Sequence, residues 1–167
     1  MKISMYTMSV ETLAPMLRNL VKILEKGEAH AAAKKFDAAV LINARLAPDM
    51  FPLSKQVQIA CDGAKFGVAR LSGSEAPKFE DNEKSFEELK TRIQRTVDFI
   101  ASVAPASFEG SEDRDIKIPM RDRTLEMKGL PYLKGWVLPN VFFHITTAYA
   151  ILRHNGVDLG KGDYLGS

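Results

Sequence analysis

The sequence predicts an all-α fold, a helical bundle of about four main helices carrying one short extra helix and one small β-hairpin ahead of the last helix. Three observations lead there. Several long stretches place apolar residues at alternating steps of three and four, the spacing of one helix face. The C-terminal helix is apolar on most sides, which predicts that others surround it. Only one short segment switches to a period of two.

Val10, Leu13, Leu17, Leu20 and Leu24 form the stripe of a first helix over about Thr7 to Lys26. Thr7 or Ser9 serves as a simple cap, because the capping box from Ser9 would need Glu or Gln where Thr12 stands. Gly27 is placed to end this helix, and Pro15 either kinks its first turns or marks a later start. A second, shorter helix from Glu28 to Arg45 carries Phe36, Ala39, Val40 and Asn43 on one side. It either sits outside the bundle or continues one of the main helices. Pro48 and Pro52 bracket a break, and a third helix from Ser54 aligns Val57, Ala60, Cys61, Ala64, Val68 and Leu71 before Gly73 stops it. Ser74 to Glu83 is polar, contains Pro77 and reads as a loop.

The fourth helix, about Glu83 to Val103, has Phe86, Leu89, Ile93, Val97 and Ile100 as its stripe. Ile116, Ile118 and Met120 then alternate with polar residues and Pro119, and Leu125 and Met127 do the same beyond Arg121-Asp122-Arg123. That is a hairpin with one apolar face, its proline strand at an edge. The last helix, Pro139 to His154, has proline pre-set for its first turn; Asn155-Gly156 closes it before a glycine-rich tail.

The chain has 167 residues, which suits one compact domain over 1–167. With 23 basic and 21 acidic residues the net charge is +2, so neither nucleic acid nor an anionic membrane is the expected partner. The start of the chain lacks a basic end followed by an apolar run, and a cytoplasmic location is expected. The uncharged run Gly135 to Leu152 is 18 residues long, the lower limit for a span. It holds Pro139, Asn140, His144, Thr146, Thr147 and Tyr149, whose burial in lipid would be costly, so a bundle core fits it better.

One cysteine excludes an internal disulfide, and Cys61 falls on the apolar face of the third helix as a small core residue. The histidines are His30, His144 and His154, and no His-x-x-x-His pair exists. His144 and His154 are ten residues apart, about 15 Å along a helix, too far to share an ion. His154 suits a helix end and His30 a solvated turn, which leaves His144 as the candidate for chemistry: a neutral core imidazole, a proton carrier or a metal ligand. Asp62 is a site candidate if it points inward and unremarkable if it faces solvent. Trp136, Tyr132 and Phe143 could line a pocket where the preceding loop meets the last helix. The stretch Gly156-Val-Asp-Leu-Gly160-Lys161-Gly162 is not a phosphate loop, since its spacing is short and no Ser or Thr follows the lysine.

The string Leu138-Pro-Asn-Val-Phe-Phe-His144-Ile-Thr-Thr-Ala-Tyr-Ala-Ile-Leu-Arg-His154-Asn-Gly-Val, followed by Leu159-Gly-Lys-Gly-Asp-Tyr-Leu, resembles the signature of a bacterial and fungal family of unknown function. That family is grouped with the DinB/YfiT-like superfamily, and Pro52-Leu-Ser-Lys-Gln-Val-Gln-Ile-Ala is similar as well. The resemblance implies a DinB-like four-helix bundle with a long crossover, often dimeric. Many members hold a divalent metal with three histidines, one from the second bundle helix and a His-x-x-x-His pair from the last, and some are thiol-dependent transferases or isomerases. Here His144 could take one ligand position, but Ala148 follows and Asn140 precedes it by four residues, and Ser54 to Leu71 has no histidine.

Three readings stand on these residues. The first is a metal-free bundle, needing no cofactor, that binds a small molecule with Asp62, Trp136, Asn140, His144 and Tyr149 as lining. The second is a metal- or thiol-cofactor-dependent transferase or hydrolase with a rearranged site at His144 and Asp62 as catalytic candidates. The third is a dimerisation module whose last helix faces a second copy, and a homodimer is the expected assembly.

Overall fold

The computed structural model describes residues 3–167. Helix α1 spans Met5–Lys34 and is longer at both ends than its stripe predicts. It begins two residues earlier because Ser4 caps it: the Ser4 side chain accepts from the Thr7 amide and the Thr7 hydroxyl accepts from the Ser4 amide. Gly27 does not end it. A Cβ there would stand 3.1 Å from a Leu152 methyl and 3.2 Å from the Phe86 ring, so Gly27 marks a close helix approach. Pro15 lies exposed inside the helix, which continues through it.

The expected second helix is therefore divided. Residues 28–34 belong to α1, and only Ala39–Ile42 form a separate turn, α2. Lys35 ends α1 in the left-handed conformation at φ 60°, and Leu41 and Ile42 reach back into the core. Helix α3, Leu53–Ser72, starts after Pro52 and ends at Gly73 (φ 76°), as its sequence predicts. Helix α4, Phe86–Ser102, starts later than expected because Ser85 and Glu88 close a capping box in front of it.

Helices α1, α4, α3 and α6 (Leu138–His154) pack in that cyclic order. Lys90 at the start of α4 pairs with Glu28 near the end of α1 at 2.7 Å, so these two run antiparallel. Asp62 meets Arg92 while Gln58 meets Glu83, so α3 and α4 run parallel. A parallel pair needs a return path. Twenty residues of α3 rise about 30 Å. Gly73 to Ser85, without regular secondary structure, is long enough to span it at up to about 3.3 Å per residue. This is the long crossover of the DinB-like bundle.

Strands β1 (Asp115–Pro119) and β2 (Thr124–Lys128) pair antiparallel with Ile116 opposite Met127 and Ile118 opposite Leu125. Ile116 and Ile118 are buried, while Met120 falls in the exposed turn rather than on the apolar face. The last helix begins ten residues before its expected start. Gly129–Tyr132 (α5), a π turn over Leu133–Val137 and α6 form one continuous helix, Gly129–His154. The wide turn lies just before Pro139, whose ring nitrogen cannot donate to the carbonyl four residues back. This helix is long and apolar enough to cross a membrane by composition, yet it packs on α1 and α3. It is not enclosed on most sides: Phe143 and Thr146 face outward. Within the glycine-rich tail, Lys161–Leu165 form a short helix, α7, against α1.

Candidate functional site

Burial sorts the three histidines. His154 is exposed at the end of α6, and His30 lies half-buried with its ring edge-on to Phe36. His144, half-buried, turns toward α3, where its Nδ1 lies 2.7 Å from Gln56 Oε1. The Gln56 amide nitrogen donates to the Phe51 carbonyl at 3.0 Å, which orients its oxygen toward the ring. Nδ1 therefore carries the proton and donates, leaving the Nε2 lone pair unengaged. Burial lowers the His144 pKa below its ordinary value and favours that neutral form.

The three-histidine metal centre implied by the superfamily does not fit these residues. One turn either side of His144 stand Asn140 and Ala148, and the α3 residue facing it is Gln56. Among the described residues no group of three or more His, Cys, Asp or Glu could hold an ion. A lone imidazole with amide neighbours is a poor site for a divalent metal.

Asp62 neither points fully inward nor stands free. Its Oδ1 receives Lys65 Nζ at 3.0 Å and Arg92 Nη2 at 3.1 Å, although its own side chain is 32% exposed. Lys65 and Arg92 are both buried, so each needs a carboxylate partner. Arg92 also donates to Glu83 Oε1 and to the Glu80 carbonyl, both at 2.9 Å, and pairs with Asp81 at 2.9 Å. Partial burial works to raise the Asp81 pKa, but Lys55 and Arg92 together hold it below the usual carboxylate range. Phe79 of the crossover lies against Lys65 Nζ at 4.3 Å and the Arg92 guanidinium at 5.4 Å. The cluster thus straps the crossover across α3 and α4.

Cys61 is fully buried beneath this cluster, and burial pushes its thiol up to about 12 despite a hydrogen bond with Thr96. A thiol held protonated at neutral pH is no nucleophile.

On the other side of Asp62, α3 and the continuous C-terminal helix enclose a cleft of about 170 Å³. Ile59, Phe66 and Val137 give it apolar walls, and Asp62, Arg70, Tyr132, Trp136 and Asn140 give it polar edges. Of the residues expected to line a site, the structure brings Asp62, Tyr132, Trp136 and Asn140 together here. His144 sits one turn beyond Asn140, on Gln56. Tyr149 does not join them: its hydroxyl faces the Leu159 carbonyl at 3.5 Å, beside the C-terminal segment. Phe143 is 55% exposed and stacks edge-on against His144, outside the cleft. Sequence reasoning missed Arg70 and Phe66, although both share the helical face of Asp62 at steps of four.

A larger cavity, about 630 Å³, opens where Tyr6, Met8 and Phe108 meet at the foot of α1. Its ionisable walls among the described residues are Tyr6 and the exposed Glu109 and Glu112. The smaller cleft combines opposed charges, Asp62 and Arg70, with aromatic and aliphatic walls, and it is the candidate site.

A family described as a domain of unknown function (DUF1993) matches residues 5–165, and the chain belongs to that family. A crystal structure of a DinB family member protein from Shewanella denitrificans is similar to it at 45% identity and a TM-score of 0.92. The match covers 97% of this chain and 92% of that one. No curated protein matches the chain.

Proposed function

We propose that this protein is a DinB-like bundle that binds a small organic molecule in the α3–α6 cleft and needs no metal to do so. The observation that carries the reading is the cleft itself. Asp62 Oδ2, the Asn140 amide and the Trp136 indole N–H edge it without a protein hydrogen-bond partner among the described residues, beside apolar walls. Polar groups left unpaired around an apolar floor are the usual makings of a ligand site.

Elemental analysis of untagged protein tests the metal half of the reading. The expected result is no stoichiometric transition metal. About one equivalent of zinc, nickel or iron, lost in His144→Ala, would support the metal-dependent enzyme instead. A homodimer is a second proposal, supported by Phe51 and Phe143, each 55% exposed at the same end of the α3–α6 pair. Light scattering should then give twice the 18.5 kDa of one chain, and a monomer mass at micromolar concentration would reject it.

A further inference from the structure

We infer that the cleft takes a free α-amino acid with an apolar side chain, an inference that rests on the cleft being a ligand site. Its charges are arranged for a zwitterion. At one end Asp62 Oδ1 holds both Lys65 and Arg92, and Oδ2 has no protein partner among the described residues. At the other end Arg70 forms no ion pair among the described residues; its Nη1 donates to the Tyr132 hydroxyl at 3.0 Å, and its remaining donors are unengaged. A carboxylate with one oxygen to offer thus shares a cavity with an unpaired guanidinium.

The size of the cleft selects among zwitterions. Asp62 and Arg70 both line it, and the Arg70 guanidinium leans back over the Phe66 ring at 5.2 Å, one turn toward Asp62. An ammonium and a carboxylate on the same carbon make the most compact zwitterion, with two bonds of about 1.5 Å between nitrogen and carboxyl carbon. Phe66, Ile59 and Trp136 then face the side chain, and about 170 Å³ limits it to modest size.

Trp136 is the single tryptophan of the chain and lines the cleft, so its fluorescence reports occupancy directly. The full chain is titrated with L-leucine, 4-methylpentanoate, isopentylamine and isopentanol, probes of one shape with both charges, one charge or none. The expected result is a saturable change with leucine and at least tenfold weaker binding of the other three. Arg70→Met should weaken leucine tenfold or more, Arg70→Lys should restore part of that loss, and isopentylamine should not respond to either change. If isopentanol or a singly charged probe binds as well as leucine, the cleft is a ligand site but the amino-acid assignment is wrong. If none of the four perturbs Trp136 in protein with an unchanged circular dichroism spectrum, the amino-acid assignment and the ligand-site reading are both overturned.

Discussion

His144 donates Nδ1–H to Gln56 and is held neutral by burial, so its charge state couples to folding. Its folded pKa lies below the ordinary 6.5, so between those values the unfolded chain binds more protons than the folded one. The stability it contributes is complete above pH 6.5 and lost as the pH falls through the folded pKa. Thermal midpoints should therefore fall more steeply below pH 6.5 in the wild type than in His144→Gln, and parallel profiles would contradict this. Arg92 poses a different question, since its charge is buried against Asp62, Asp81 and Glu83. Arg92→Met takes the guanidinium from three carboxylates; Asp62 keeps Lys65 and Asp81 keeps Lys55, while Glu83 loses its cation. The expected cost is about 2–4 kcal/mol in urea unfolding, below the full value for a buried pair because Asp62 and Asp81 are partly solvated. It should also loosen Phe79 to Glu83, seen as faster amide exchange there.

At the scale of elements, the stripes of α3 and α4 were legible to within three residues because each packs one amphipathic face inward. The α1 end was not. Gly27 resembles a stop signal in sequence, but its function is to let Leu152 and Phe86 approach, a tertiary fact with no local signature. Gly67 is a comparable contact on α3, where a Cβ would fall 2.6 Å from Val137 Cγ1. Gly67→Ala should therefore destabilise by about 1–3 kcal/mol through overpacking, although alanine is the better helix former by about 1 kcal/mol. A measured gain in melting temperature would show that α3 and the C-terminal helix can separate freely. The early start of the C-terminal helix was hidden by Pro139, read as an opening residue when a π turn carries the helix past it. Asp62, Tyr132, Trp136 and Asn140, singled out in the sequence, line one cleft in the structure; Arg70, which shares the Asp62 face of α3, was passed over because an arginine at the end of an amphipathic helix reads as a solvated residue.

For the whole molecule, the parallel arrangement of α3 and α4 requires the long crossover, and the crossover in turn covers Lys65 and Arg92. Those two cations hold Asp62 Oδ1, and Asp62 also lines the cleft, so the bundle topology and the candidate site share one cluster. In place of the three-histidine set that the superfamily resemblance implies, this chain has one imidazole engaged with Gln56. A ¹⁵N–¹H correlation spectrum recorded during parallel titrations with L-leucine and with zinc tests this division most directly. Leucine should move the amides around Gly63, Trp136 and Asn140 saturably, while equimolar zinc leaves His144 and its neighbours in place. Zinc shifts centred on His144, with the cleft amides unmoved by leucine, would contradict the account.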